Sequence, residues 1–226
     1  LVPDRDWERY AAKQERMTSA VKGPHFGEAT FYCARLQAQR LFQNGRFAEA
    51  DQRWREAYEQ AARAGVSYAE PFYRAHQFSA KNVREGAKAV VERARAVLSA
   101  RGIILGPAIL ANLCRVAAEA GDLELATVQL QRLGDPAELP RSIGYLHTVA
   151  SIAAGAAVLV DRPRCEQLRD ILTPHADLNT PDAMGAYIGS VSHFRGLLHA
   201  ALDDHKAAAH FFERAHDRNL AMGYRV

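Results

Sequence analysis

Apolar and small residues recur along this chain at steps of three and four residues, the spacing that gathers side chains on one face of an α-helix. After Gly45, the stretch FAEADQRWREA carries Phe47, Ala50, Trp54 and Ala57 at such steps. No segment shows sustained alternation of apolar and polar residues, so we expect no β-sheet. The pattern predicts an all-α protein.

Glycines, prolines and short polar turns separate the predicted helices. We place the helices at residues 5–21, 27–44, 47–64, 68–84, 87–101, 105–120, 123–133, 141–160, 163–173, 181–202 and 205–222. Pro107, Pro163 and Pro181 then fall in first turns, where a missing N–H is harmless. Asn179 or Thr180 would cap the helix that begins at Pro181.

The frame that begins at Gly45 recurs along the chain, which indicates a repeat. At Gly45 and Gly121 the turn residue is followed by an apolar residue two positions later, a small residue at five and a bulky residue at nine. The turn residues lie 35 to 43 residues apart, at Gly45, Gly86, Gly121, Val160 and Asp203, and the copies at Gly86 and Val160 are weaker. Glycine suits a turn with positive φ, and the small residue lets two antiparallel helices approach closely. The frame predicts a tetratricopeptide-like (TPR-like) solenoid of about five antiparallel helix pairs.

Four stretches fill this frame in a characteristic way. They are NGRFAEADQRWREA (44–57), AEAGDLELATVQLQRL (118–133), LRDILTPHAD (168–177), and GAYIGSVSHFRGLLHAAL with AAAHFFERAHDRNLAMGYR (185–225). From Phe31 to Val226 the chain resembles the C-terminal repeat region of large bacterial signal-transducing ATPases of the AAA or STAND type. Val160 and Asp203 depart from that family, which has glycine at these turns.

This resemblance implies a TPR-like repeat domain at 31–226, with a helix or linker from a preceding region at 1–30. In the family, such a region accompanies a nucleotide-binding domain and an output module, often a class III nucleotide cyclase or a LuxR-type DNA-binding domain. The chain would then be a non-enzymatic regulatory or scaffolding module with no catalytic residues and no cofactor. Its partners would be its own ATPase or output domains, another protein or a small effector.

The two ends of the sequence agree with this view, since it begins without Met and breaks off just after a predicted helix, as a piece of a longer chain would. We find no signal-peptide pattern and no apolar run of bilayer length. A homodimer is also conceivable, because Gly185 and Gly189 would let helices pack closely, within a pair or between copies.

The formal charge of +3 gives no strong field toward nucleic acid or an anionic membrane, so we expect neither as a direct partner. One hairpin is locally basic. Its cations are Lys81, Arg84, Lys88, Arg93, Arg95 and Arg101. They could meet phosphate or an acidic protein surface, but a solvated helix face is the commoner explanation.

Three cysteines, Cys33, Cys114 and Cys165, are odd in number and set in apolar surroundings. They are typical of reduced, buried thiols in a cytoplasmic protein. Five histidines crowd the C-terminal part, namely His193, His199, His205, His210 and His216. Their separations of five and six residues never place two imidazoles on one helical face, so we expect no metal site.

The concave face of a solenoid usually binds its partner, and the first helix of each pair lines it. The polar residues predicted there are Gln37, Arg40, Gln77, Asn112, Arg115, Tyr145, His147, Ser190 and His193. Each could equally be an exposed residue with no partner. Two other functions remain open: a free-standing TPR adaptor or peptide receptor that uses the same groove, and a small helical hydrolase with a histidine-rich metal site.

Overall fold

The computed structural model describes residues 26–98, 105–142, 144–181 and 187–221, together with residues 12 and 16. Helices dominate these residues, so the all-α prediction is confirmed. The helix predicted at 5–21 and most of the segment 1–30 lie outside the described residues.

Most helix boundaries agree with the prediction to within a few residues. The helices are α1 (Phe26–Gln43), α2 (Phe47–Arg63), α3 (Ala69–Leu98), α4 (Pro107–Ala120), α5 (Leu123–Leu133), α6 (Tyr145–Val158), α7 (Arg162–Leu172), α8 (Val191–Ala201) and α9 (His205–Ala221). Single 3₁₀ turns follow α5 at Pro136–Glu138 and α7 at Thr173–His175. The break expected near Gly86 is a local kink within α3, where this glycine has φ 81° and ψ 166°.

The chain forms two compact units. Of the described residues, the first contains 12, 16, 26–80 and 219–221, and the second contains 81–98, 105–142, 144–181 and 187–218. The division therefore falls inside α3. The single repeat domain expected at 31–226 stays a prediction.

In the first unit, α1 and α2 form an antiparallel hairpin because only residues 44–46 connect them. Trp54 of α2 is 1% exposed and meets the ring of Phe31 edge to face, with 6.3 Å between the ring centroids. Ala50, the small residue of the repeat frame, is fully buried. The frame thus identifies the buried face of α2 correctly.

The second unit contains three further hairpins, α4 with α5, α6 with α7 and α8 with α9, each closed by a turn of two or three residues. The first helices of these hairpins lie side by side, since α6 packs against both α4 and α8. The small residues of the frame, Ala126, Cys165 and Ala208, are all buried. Three adjacent first helices therefore form one wall of this unit.

The predicted left-handed turns are present. The residues that close the turns have positive φ at Gly45 (76°), Gly121 (80°), Val160 (54°) and Asp203 (66°). Valine is β-branched and strongly disfavours this backbone region. The turn geometry is therefore maintained even where the sequence does not offer glycine.

A short antiparallel ribbon replaces the first part of the helix predicted at 181–202. Strands β1 (Asn179–Pro181) and β2 (Tyr187–Ser190) pair with Asn179 opposite Ser190. The hydroxyl of Thr180 donates a hydrogen bond to the carbonyl of Gly189, at 2.5 Å. The expectation of no sheet was wrong because strands of three and four residues are too short to show a period of two.

The same ribbon changes the assignments made for Pro181 and Gly189. Pro181 is part of a strand and not of a first helical turn, and Gly189 lies in β2 with φ 141°, so it cannot support helix packing. Gly185, its predicted partner, lies outside the described residues. Within the described ranges, no helix combines the length and the apolar character needed to cross a membrane.

Candidate binding site

Two helices of the wall formed by α4, α6 and α8 approach each other unusually closely, namely α4 and α6. A Cβ atom added to Gly155 of α6 would overlap the sulfur of Cys114 on α4. The Cys114 thiol lies inside its own hairpin, where it donates to the carbonyl of Ala126 at 3.4 Å. This approach fixes α6 directly beside the segment of α4 that contains Arg115.

Arg115 is held in place by its own helix. One terminal nitrogen donates to the carboxylate of Glu119 at 2.5 Å, and the other donates to the amide oxygen of Asn112 at 2.8 Å. The side chain is only 12% exposed. Its Nε is buried and has no hydrogen-bond partner among the described residues. The Nε–H donor of this positioned guanidinium is therefore buried and unused among the described residues.

His147 and Ser151 lie one turn apart on the same face of α6. His147 is 5% exposed and Ser151 is fully buried. Nδ1 of His147 and Oγ of Ser151 have no hydrogen-bond partner in the part of the chain that the structure describes. Buried polar atoms without partners are rare in folded proteins and each costs about 1 to 3 kcal/mol. They mark a place where a further polar group can be bound.

The charge state of His147 follows from its surroundings. Burial lowers the pKa of this imidazole to about 4, and the positive charge of Arg115 lowers it further in the same direction. His147 is therefore uncharged at neutral pH. A neutral imidazole has one N–H donor and one acceptor nitrogen.

His193 brings α8 into the same site. Burial is the main cause that lowers the pKa of this half-buried imidazole; Glu119 opposes the shift and Arg115 adds to it. The charges of α4 thus act on histidines of both α6 and α8. We use the name three-helix site for the group that these helices bring together: Asn112, Arg115, Glu119, His147, Ser151 and His193.

The structure therefore brings together four of the nine residues predicted to line a groove, Asn112, Arg115, His147 and His193. Sequence reasoning missed Glu119 and Ser151. Each follows a predicted residue by four positions, Glu119 after Arg115 and Ser151 after His147, and this helical spacing could have indicated both.

Two further predicted residues of this unit have other roles. Tyr145 lies beneath the guanidinium of Arg141, 5.0 Å from the ring centroid. Ser190 is fully buried and caps α8, since its hydroxyl oxygen accepts the backbone N–H of His193 at 3.4 Å. The hydroxyl of Ser190 is thus engaged in starting the helix that presents His193.

The remaining predicted residues, Gln37, Arg40 and Gln77, belong to the first unit. The amide oxygen of Gln37 accepts a hydrogen bond from Arg53 at 2.7 Å. Arg40 is half-buried, and burial lowers the pKa of its guanidinium. Gln77 is exposed.

The thiols offer no nucleophile in the second unit. Cys114 and Cys165 are fully buried, and burial raises the pKa of each to about 11. A buried thiol with a raised pKa stays protonated and unreactive at neutral pH. Cys33 is only half-buried, which corrects the expectation that all three cysteines are buried.

The C-terminal histidines are spread over several environments. His199 faces Asp204 at 3.1 Å and stacks on Phe211, with ring centroids 5.1 Å apart. His205, His210 and His216 are exposed. Within the described residues, no group of three or more His, Cys, Asp or Glu side chains is arranged to hold a metal ion.

The basic stretch of α3 is partly neutralised by ion pairs. Arg93 pairs with Glu85, and Arg95 contacts the carboxylate of Asp122 at 2.6 Å. Arg101 lies outside the described residues. These ion pairs offset part of the positive charge of this helix.

An open recess of about 450 Å³ lies between the end of α5 and the start of α7. Its polar groups bind one another: Arg164 contacts Asp161 at 2.9 Å and Gln167 donates to Asp135 at 2.5 Å. The three-helix site, with its unpaired buried atoms, is therefore the stronger candidate.

No protein-family model, curated protein or solved structure matches this chain, so the three-helix site must be interpreted from its own geometry.

Proposed function

We propose that this chain is a non-enzymatic regulatory module of a bacterial signal-transducing ATPase and that the three-helix site receives its effector. The observation that carries the proposal is the set of buried atoms without hydrogen-bond partners among the described residues: Nε of Arg115, Nδ1 of His147 and Oγ of Ser151. Two adjacent helices supply these atoms, as expected for a site assembled by stacked hairpins.

The turn geometry supports the TPR-like register. All five turn residues of the repeat frame have positive φ, and three small residues of the frame are buried within the second unit. Each hairpin of such a repeat cannot bury its apolar face alone and stacks on the next. The first helices then face one side, where a ligand can contact several repeats at once.

Regulation would follow from this arrangement. A ligand that touches α4, α6 and α8 together favours one relative position of the three hairpins. Binding changes the free-energy difference between the two arrangements of the hairpins. This change can be no larger than the difference between the ligand's binding free energies for the two arrangements. The partners in this proposal are the ATPase and output domains of the same cytoplasmic protein, and a small effector or a partner protein supplies the signal.

The buried, protonated thiols of Cys114 and Cys165 support a binding role over a catalytic one. The alternative with the same groove is a free-standing adaptor or peptide receptor. In the regulatory function, these residues are covalently attached to an ATPase domain and an output domain. In the adaptor function, they are not.

The size of the native protein tests this proposal. An immunoblot of the source cells with an antibody raised against this chain should show a band several times heavier than 25.0 kDa. A strain that lacks the gene provides the control for antibody specificity. A specific band of about the chain's own mass would contradict the proposal and favour the adaptor.

A further inference from the structure

We propose that a solvent-accessible arginine cluster in the second unit binds a phosphate dianion, with Asp177 as an internal competitor for the same site. The cluster consists of Arg169 of α7, Arg195 of α8, and Arg214 and Arg218 of α9. Arg195 follows the three-helix site's histidine on α8 by two residues, a spacing that puts the two side chains on nearly opposite faces of the helix. The inference therefore concerns a second site and does not rest on the effector role of the three-helix site.

The two arginines of α9 converge on one oxygen atom. Terminal nitrogens of Arg214 and Arg218 lie 2.5 Å and 3.9 Å from Oδ1 of Asp177. Arg218 also donates a hydrogen bond to the backbone carbonyl of Asp177. An anionic oxygen is thus already held at the point where the two guanidinium groups meet, so this point accommodates an anion.

Arg195 adds a positive charge that is not neutralised. Its guanidinium lies on the ring of Phe211, with Cζ 4.0 Å from the ring centroid, and its Nε is buried without a hydrogen-bond partner among the described residues. Phe211 precedes Arg214 by three residues, so Arg195 reaches the side of α9 that carries Arg214. Burial lowers the pKa of Arg195, and the positive charges of Arg214 and Arg169 lower it further, with no described carboxylate opposing them. A bound anion would relieve this repulsion.

The charge balance favours a dianion. The four arginines contribute four positive charges, and the two carboxylates in contact with them, Asp170 and Asp177, cancel two. These carboxylates are 71% and 79% exposed, and exposed ion pairs contribute little to stability, so a stronger anion can displace them. A phosphate monoester carries nearly two negative charges at neutral pH, and its oxygens accept the paired donors of several guanidinium groups.

The surroundings limit the ligand to a single small phosphate group. On α9 each arginine of the cluster directly follows an exposed acid, Glu213 before Arg214 and Asp217 before Arg218. A nucleic acid or an anionic membrane is bound by basic residues spread over a larger surface. The acids interrupt such a surface here. Free phosphate or a small phosphorylated molecule therefore fits the cluster better than a polyanion.

NMR titration of the purified chain tests the inference. The reporters are the Nε–H signals of Arg195 and Arg218, observed at about pH 8 and constant ionic strength while inorganic phosphate or ribose 5-phosphate is added. We expect a saturable shift with a dissociation constant in about the millimolar range for both probes, and the tighter probe identifies the source of the phosphate group. Chloride should give no saturable shift, and acetate should bind at least about tenfold more weakly.

Five variants define the contacts. Arg195→Gln and Arg214→Gln should each weaken phosphate binding at least about tenfold. Asp177→Asn removes the internal carboxylate and should strengthen binding about two- to fivefold, the equivalent of one exposed ion pair. A gain of affinity cannot result from misfolding. The matched controls, Arg132→Gln and Glu124→Gln, make the same changes of charge at exposed positions of α5 and should bind phosphate like the unaltered chain.

The opposite results would overturn the inference. No saturable shift with either phosphate probe, or equal affinity for acetate, would exclude a phosphate site. Tighter binding of a single-stranded oligonucleotide or of anionic vesicles would contradict the small ligand. Affinities of Arg195→Gln and Arg214→Gln equal to those of the α5 controls would contradict the assignment to this cluster, and unchanged or weaker binding by Asp177→Asn would contradict the internal competitor. None of these results bears on the function proposed for the three-helix site.

Discussion

Gly155 of α6 faces the sulfur of Cys114 on α4 so closely that a Cβ atom at position 155 would force the Cys114 side chain or one of the two helices to shift. The positive charge of Arg115, the next residue along α4, reaches His147 of α6 and lowers the pKa of this imidazole. The packing of two small residues and the assembly of the three-helix site are thus parts of one arrangement.

Replacement of Gly155 by alanine should destabilise the chain. The added methyl group overlaps the Cys114 sulfur, and overpacking of this kind costs typically about 1 to 3 kcal/mol. Cys114→Ala removes the opposing atom, so the double variant should be less destabilised than the sum of the two single changes. Urea unfolding of all four proteins measures the coupling, and strict additivity would contradict the contact.

Val160→Gly should stabilise the chain by about 0.5 to 1 kcal/mol. The left-handed backbone costs an L-residue about 1 to 2 kcal/mol, and the greater flexibility of unfolded glycine offsets part of the gain. Little packing is lost because Val160 is 58% exposed. Its φ of 54° is the strained feature that glycine would relieve.

Asp203→Gly provides the comparison for this prediction. Aspartate tolerates positive φ better than valine, and Asp203 also contacts Arg162 at 2.7 Å. Its replacement should therefore yield a smaller gain than Val160→Gly in the same denaturation measurement. The reverse order would argue against backbone strain as the cause.

Stability should fall as the pH drops from about 6.5 to about 4. The native pKa of His147 is lowered from 6.5 to about 4, so in this window the unfolded chain takes up a proton that the folded chain refuses. The contribution lost is roughly 3 kcal/mol. Denaturant unfolding across this range should show the loss.

His147→Gln should remove most of this pH dependence, since glutamine does not titrate. His216→Gln is the matched control, because its imidazole is 70% exposed and lies outside the three-helix site. An unchanged pH profile in His147→Gln would contradict the burial of a neutral imidazole at this position.

Trp54→Ala should lower the free energy of unfolding by about 3 to 5 kcal/mol. The indole is 1% exposed and packs between Phe31 and His76, with the latter ring stacked at 4.8 Å. Phe212→Ala should cost less, since this ring is only half-buried against Gly196. If Trp54→Ala left the free energy of unfolding almost unchanged in thermal or urea unfolding, the placement of Trp54 as the bulky buried residue of the repeat would be contradicted.

The sequence predicts the helical hairpins well because their signals are local. Spacings of three and four residues mark the buried face of each helix, and the repeat frame identifies the turns even at Val160 and Asp203. The ribbon of β1 and β2 could not be predicted in this way. Its pairing depends on contacts such as that of Thr180 with Gly189, which a scan for periodicity does not detect.

The candidate site was predictable only in part. Arg115, His147 and His193 could be predicted because each is a polar residue on the first helix of a predicted hairpin. Burial and hydrogen-bond satisfaction are properties of the packed chain, so the sequence could not show that Ser151 is left without a described partner or that Ser190 caps α8.

The central claim, that the three-helix site governs the activity of a parent regulator, is tested most directly in the source cells. Transcript profiles and cyclic-nucleotide levels would be compared in strains with the unaltered gene, a deletion, Arg115→Gln or Arg132→Gln, with equal protein levels verified by immunoblot. We predict that Arg115→Gln reproduces the deletion profile while Arg132→Gln matches the unaltered strain. A normal profile in Arg115→Gln cells, with a clear effect of the deletion, would contradict the claim.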